Sequence, residues 1–109
     1  MSGNASRTRG RQRELAVLHH LESEGYVVYR LSRGCFDLCA LRAGEPPLLI
    51  QVKSSALPFA HFGPADRVTA IRVAAQAGAT AVLAHWPKGG QLKLIESSRW
   101  PAPVAVMAT

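Results

Sequence analysis

Acidic residues are scarce in this sequence of 109 residues. Seven Asp and Glu are set against thirteen Lys and Arg, which gives a formal net charge of +6 at pH 7. Such an excess of positive charge on a small chain favours a polyanionic partner, nucleic acid first and an anionic membrane surface second. Because the acids are so few, the position of each one is informative.

Long apolar runs and cysteines are also scarce. No apolar run approaches the roughly 18 residues of a membrane-spanning helix, which excludes an integral membrane protein. The first residues lack the apolar core of a signal peptide, so we expect an intracellular protein. The two cysteines cannot form a disulfide framework, and we expect both thiols to stay reduced as small buried side chains.

The length predicts one domain over residues 1–109, large enough to bury a core. Residues 1–11 are polar and arginine-rich, which predicts a flexible basic arm. Leucines spaced for an amphipathic helix occupy residues 12–24, and an alanine-rich second helix is predicted over residues 65–77. The tail, residues 100–109, has no clear period and is expected to be irregular.

The remaining segments predict a mixed sheet. Five segments have the composition of strands: residues 26–31, 35–41, 48–53, 80–86 and 91–96. A break rich in glycine and proline at residues 44–47 favours a hairpin between the second and third strands. The order α-β-β-β-α-β-β therefore predicts an α/β fold, with a mixed β-sheet flanked by helices.

Most of the acids have simple structural explanations. Asp66 is expected to cap the second helix. Surface positions are expected for four acids: Glu22, Glu24, Glu45 and Glu96. Asp37 is different, because it interrupts an otherwise apolar predicted strand. A carboxylate there must be paired, metal-bound or at a sheet edge, since burying it alone is costly. Glu14 lies near the apolar face of the first helix.

The third predicted strand ends in Gln51, Val52 and Lys53. Residues two apart in a strand project from the same face, so Gln51 and Lys53 point together, and the hairpin can place Asp37 beside them. Carboxylate and amide oxygens can hold Mg²⁺, while an ammonium group orients a nucleophile or neutralises developing charge. This combination is suited to hydrolysis of a phosphodiester.

Two stretches of the sequence match the pattern of a known nuclease family: RGRQRELAVLHHLESEGYVVYRLSRGCFDLCAL and LLIQVKSS. Over residues 9–100 the chain resembles the archaeal-type Holliday junction resolvases of the PD-(D/E)XK nuclease superfamily. The family pattern is a helix Glu, a glycine and aromatic pair opening a strand, then Arg, Ser, Asp and Glu-x-Lys. Seven positions match it: Glu14, the pair Gly25 and Tyr26, Arg30, Ser32, Asp37 and Lys53.

The resemblance implies a homodimeric, Mg²⁺-dependent endodeoxyribonuclease that resolves four-way DNA junctions in recombination and repair, with Mn²⁺ able to substitute. The implied catalytic residues are Glu14, Asp37, Gln51, Lys53 and Ser32. The implied metal ligands are Glu14, Asp37, Gln51 and the carbonyl of Val52. Phosphate contacts are expected from Arg7, Arg9, Arg11, Arg13, Arg30, Arg33 and His61.

One position departs from the family, which has Glu where this chain has Gln51. The amide keeps a carbonyl ligand but loses a negative charge, so metal affinity should fall, and we expect activity to survive through Glu14 and Asp37. Three alternatives stay open: another DNA nuclease of the same fold, a DNA-binding module with a weakened catalytic site, and a basic protein that binds RNA or membrane surfaces.

Overall fold

The computed structural model describes the backbone of residues 2–102 and the side chains of residues 10–102. The helices and strands are α1 Ser2–Ser23, β1 Val27–Arg30, β2 Leu38–Leu41, β3 Leu48–Lys53, α2 Pro64–Gln76, β4 Thr80–His85 and β5 Lys93–Glu96. Short 3-10 turns occupy Pro58–Ala60 and Ser97–Arg99. In the described part of the chain, no helix is long and apolar enough to cross a membrane.

The five strands form one mixed sheet in the order β1-β2-β3-β4-β5. β1, β2 and β3 are antiparallel neighbours, β3 and β4 are parallel and joined through α2, and β5 returns antiparallel to β4. The predicted hairpin between the second and third strands is therefore present, with Leu38 opposite Ile50. The predicted fold class, a mixed sheet flanked by helices, is confirmed.

The two helices cover opposite faces of the sheet. Side chains alternate between the two faces along each strand, so each helix packs against a different set of strand residues. Val17 and Leu21 of α1 pack in one apolar cluster, whose other buried members are Leu38, Ala40, Ile50, Val82 and Ala84. Ala70 and Ala74 of α2 pack in the second cluster, whose other buried members are Phe36, Phe62, Ala81, Leu83 and Trp100. The end of β3 thus lies between two cores, which hold its backbone in place.

Several predicted boundaries were wrong by one or more residues, and the two largest errors are at the starts of α1 and β2. α1 begins at Ser2, so residues 2–11, expected to form a flexible arm, continue the helix that was predicted to start at residue 12. β2 begins at Leu38, so Asp37 precedes the strand instead of interrupting it. The strand is shorter than predicted because its regular pairing with β3 ends at Leu38 and Ile50, a tertiary effect that local composition does not report.

α2 also differs from the prediction. Gly63 is its N-cap, and Asp66 lies in the first turn without a side-chain capping hydrogen bond. The apolar residues Val68 and Ile71 are 47% and 39% exposed, whereas Arg67, Ala70 and Ala74 face the sheet. Small alanines allow the helix to approach the sheet closely. An apolar strip of α2 is therefore left on the surface of the chain.

Candidate functional site

The hairpin of β2 and β3 opens at Asp37. Its N–H donates to the carbonyl of Ile50 at 2.8 Å. Further along β3, the N–H of Val52 has a side-chain acceptor in place of a carbonyl of β2, and this acceptor is the Asp37 carboxylate. Its Oδ2 accepts a hydrogen bond from the Val52 N–H at 2.8 Å. The carboxylate is thus fixed at the open end of the hairpin by the same backbone ladder that forms the sheet.

Asp37 is an unfavourable place for a negative charge. Burial raises the pKa of its carboxyl above the ordinary value, while the Val52 N–H and the positive charge of Lys53 act in the opposite direction. Burial prevails because water is a better solvent for a carboxylate than one N–H and one nearby ammonium group. The protein does not fully stabilise the negative charge of Asp37, so this charge would favour the binding of a cation.

Glu14 reaches the same region from α1. One carboxylate oxygen lies 3.8 Å from Nη2 of Arg30, and the acid side chain is 27% exposed. Burial raises the pKa of Glu14, and the negative charge of Asp37 raises it further, against the lowering effects of Arg30 and Arg11. The two acids left unexplained by the sequence thus lie close enough to repel one another. Such paired carboxylates of raised pKa are typical of functional sites.

Gln51 and Lys53 line a pocket on the α2 side of β3. The other lining residues are Cys35, His61, Phe62 and Asp66. Asp37 is outside this lining, but its charge acts on the pocket: burial, Asp66 and Asp37 all raise the pKa of the Cys35 thiol. Lys53 therefore links the pocket to Asp37, since it lines the pocket and its positive charge also acts on the Asp37 carboxylate.

The structure brings some of the predicted site residues together and leaves others apart. Glu14, Asp37, Arg30 and Lys53 interact through their charges, whereas Gln51 approaches from the α2 face and Glu14 from the α1 face. His61 is exposed and lines the same pocket as Gln51 and Lys53.

The remaining predicted phosphate-binding residues do not line the pocket, although the positive charge of Arg11 acts on Glu14. Ser32 and Arg33 are exposed in the turn after β1. Arg11 is exposed on α1, and Arg13 lies over the ring of Trp86. The side chains of Arg7 and Arg9 lie outside the described residues.

Two contacts that hold the end of β3 escaped sequence reasoning. The N–H of Trp86 donates to the carbonyl of Lys53 at 2.9 Å. Nε2 of His85 lies 2.7 Å from the carbonyl of Ser55 and must carry a proton to donate to it. The parallel register pairs His85 with Lys53. Only that register, which a local pattern does not report, could have identified His85 as a support for the site.

Arg67 is a third residue whose role the sequence did not reveal. It is buried on α2, where Nη1 donates to the carbonyl of Phe62 at 2.8 Å and Nε donates to that of Pro101 at 3.1 Å. These bonds satisfy a charge that would otherwise be expensive to bury. They also tie down the loop that brings His61 to the pocket.

The side chains near the open end of the hairpin suit a hard cation. The described residues contain no group of three or more His, Cys, Asp and Glu side chains that could hold a metal ion. Glu14 and Asp37 offer carboxylate oxygens, whereas Gln51 lines the pocket on the α2 side of β3. Mg²⁺ binds through one or two carboxylates and keeps several waters, so the two acids are donors of the kind that it takes.

No protein-family model matches the sequence, and no curated protein matches it. Among solved structures, the fold is similar to that of Hjc, a Holliday junction resolvase from the archaeal hyperthermophile Archaeoglobus fulgidus. The TM-score is 0.65 at 21% sequence identity, over 83% of this chain and 74% of that chain. The five-stranded mixed sheet with its flanking helices is thus the fold of this nuclease.

Proposed function

We propose that the chain is a Mg²⁺-dependent, structure-specific endodeoxyribonuclease that resolves four-way DNA junctions in recombination and repair. The single observation that supports this most is the placement of Asp37. Its carboxylate is held by the Val52 N–H and lies within electrostatic reach of Glu14 and Lys53. These residue types belong to metal-dependent phosphodiester hydrolysis, and the fold is that of a junction resolvase.

The metal ligands in this proposal are Glu14, Asp37, the amide oxygen of Gln51 and the carbonyl of Val52. When bound, Mg²⁺ polarises the phosphoryl group and makes a bound water acidic. Lys53 orients the attacking water and neutralises charge that develops on the phosphate. Arg30 pairs with Glu14, and its side chain is exposed enough to contact the substrate backbone as well. Ser32 and the exposed arginines bind phosphates beside the scissile one.

Gln51 makes this site weaker in charge than that of the resembled family. The amide lowers metal affinity relative to a Glu, since it contributes a dipole in place of a full charge. Activity then depends on Glu14 and Asp37, whose mutual repulsion favours a bound cation. The alternative is that the chain binds DNA but no longer cleaves it. This alternative also depends on Gln51 in place of the Glu of the resembled family.

A homodimer fits both the substrate and the surface of the chain. A four-way junction has approximate two-fold symmetry, which two copies of one site can match. The exposed apolar strip of α2 formed by Val68 and Ile71 offers a surface for self-association, and Leu57 nearby in the sequence is 72% exposed. We propose that this strip forms the contact between two protomers.

The test is cleavage of a synthetic four-way junction in Mg²⁺ or Mn²⁺, with linear duplex of the same sequence as competitor at fixed salt. The proposal predicts paired, symmetric cuts near the crossover and preference for the junction. Junction binding without cleavage in either metal would instead identify the DNA-binding module. Equal affinity for junction and duplex would contradict the structure-specific function.

A further inference from the structure

A groove with no assigned function lies between α1 and the turn that joins β4 to β5. It is lined by Gln12, Arg13, Ser54 and Lys88. Two of these four residues are cations and none is an acid, while Ser54 and Gln12 add neutral groups able to donate hydrogen bonds. Of the four, only Arg13 was expected from the sequence to contact DNA. The lining is that of a site for an anion of extended shape.

The position of Arg13 is fixed by Trp86. The guanidinium carbon lies 5.1 Å from the centroid of the indole ring, a cation–π arrangement. The ring is itself held, because its Nε1–H donates to the carbonyl of Gly90 at 3.1 Å and His20 packs edge-on at 6.4 Å between centroids. A stacked guanidinium keeps its N–H groups available in the plane, where they can bind a phosphate with two bonds.

The position of Lys88 is fixed by its turn. The N–H of Gly90 donates to the carbonyl of Pro87 at 2.9 Å, and Gly89 has φ +74°. This is the geometry of a type II turn, which requires a positive φ at its third residue and places Lys88 at its second. A Cβ on Gly90 would lie 2.7 Å from Cγ of Pro87, so the close turn depends on glycine there. The turn therefore sets the backbone conformation from which Lys88 projects.

The groove adjoins the proposed catalytic site. Ser54 directly follows Lys53, and Gln12 and Arg13 precede Glu14 on α1. Consecutive residues of α1 reach opposite sides of the site: Arg13 lies over Trp86 beyond β4, while Glu14 pairs with Arg30 of β1. A strand whose scissile phosphate lay at Asp37 could place a neighbouring phosphate between Arg13 and Lys88.

We infer that the groove formed by Gln12, Arg13, Ser54 and Lys88 binds a backbone phosphate of the DNA, adjacent along the strand to the one that is cut. The inference rests on the proposed function, since it names a second contact with the same substrate. Its ligand is the phosphodiester backbone, so it positions the strand without reading sequence. A phosphate bound in this cationic groove, next to the scissile bond, would fix which bond meets Lys53.

The test compares Lys88→Gln with Lys93→Gln. Each removes one exposed lysine charge, but Lys93 lines a different groove with Phe59 and Arg99. Affinity for the synthetic junction is measured without divalent metal across a range of salt concentrations. We expect Lys88→Gln to reduce the slope of log affinity against log salt by about 0.9, the value for one lost phosphate contact. We expect Lys93→Gln to leave the slope unchanged, and thermal melting should match wild type for both.

A second measurement identifies the phosphate. Single neutral methylphosphonates are placed at each position near the crossover. At one position other than the scissile phosphate, the substitution should weaken wild-type binding several-fold and have no further effect on Lys88→Gln. Equal slopes for the two lysine variants, or no such position, would overturn the groove assignment. Failure of wild type to cleave would contradict the proposed function separately, because these binding measurements need no cleavage.

Discussion

The Asp37 carboxylate takes the place of a backbone acceptor at the end of the sheet. Its Oδ2 accepts a hydrogen bond from the Val52 N–H at 2.8 Å, beyond the last regular pair of β2 and β3. One interaction therefore has two consequences. It completes the hydrogen bonding of the sheet end, and it places a half-buried negative charge within reach of Glu14 and Lys53. The structural role and the proposed catalytic role of Asp37 can be separated by substitution.

Asp37→Asn and Asp37→Ala separate these roles by stability. The Asn amide oxygen still accepts the Val52 N–H, whereas Ala leaves that N–H without its partner. We expect Asp37→Ala to be less stable than Asp37→Asn by about 1–3 kcal/mol, the cost of an unpaired buried donor. Chemical denaturation of both variants at neutral pH measures the difference. Equal stability would mean that water or a backbone shift replaces the bond.

The raised pKa values of Asp37 and Glu14 predict how stability depends on pH in the absence of metal. Between the unfolded and folded pKa values, the folded state binds more protons, so the free energy of unfolding falls as pH rises. The stabilisation is present at pH below the unfolded pKa and is lost as pH rises through the folded pKa. Denaturation of wild type relative to Asp37→Asn from pH 3 to 8 should therefore show a declining difference. A rising difference would contradict the burial of this charge.

Gln51→Glu tests whether this side chain is a metal ligand. Adding a third carboxylate should lower the Mg²⁺ concentration for half-maximal cleavage by about tenfold, because hard cations bind more tightly as ligand charge increases. The measurement is a Mg²⁺ titration of the single-turnover rate. Asp66→Asn, which changes charge on another wall of the same pocket, is the control and should leave that concentration nearly unchanged. Identical titrations for wild type and Gln51→Glu would exclude Gln51 from the metal shell.

Lys53→Gln should slow cleavage by about 10²–10⁴-fold, the usual contribution of a group that assists proton transfer or stabilises charge in the transition state. Binding of the junction should change much less, because many phosphate contacts remain. Single-turnover rates at saturating protein separate the two effects. If only the affinity changed, Lys53 would be a phosphate contact with no part in the chemistry.

The exposed strip of α2 predicts the oligomeric state. A charge at Ile71, as in Ile71→Glu, should shift a dimer toward monomer in light scattering after size-exclusion chromatography, since it places a carboxylate in an apolar contact. Val27→Glu is the matched control, because Val27 is 56% exposed but lies on β1. A wild-type chain that is monomeric at high concentration, or a dimer unaffected by Ile71→Glu, would contradict the proposed interface.

Sequence reasoning was most successful where local chemistry decides the outcome. The glycine and proline break at residues 44–47 and the apolar run before Gln51 were sufficient to predict the hairpin, and the element order followed. It failed where tertiary contacts decide. The pairing of Glu14 with Arg30 depends on how α1 lies across the sheet, and the contact of His85 with Ser55 depends on the parallel register.

The buried face of α2 also depends on tertiary contacts. The apolar Val68 and Ile71 are exposed, whereas the structure buries alanines and Arg67, whose guanidinium donates to the carbonyls of Phe62 and Pro101. A charged residue normally marks the exposed side of a helix. The exception arises because the loop before α2 and the segment around Pro101 meet at that side chain.

Comparison of wild type with Asp37→Asn tests whether Asp37 binds the metal ion that is required for DNA cleavage. The measurement is single-turnover cleavage of a four-way junction in Mg²⁺, together with junction affinity in its absence. We predict cleavage by wild type, a loss of at least about 100-fold in Asp37→Asn and near-equal affinity for the two proteins. Cleavage by Asp37→Asn at the wild-type rate would contradict the account.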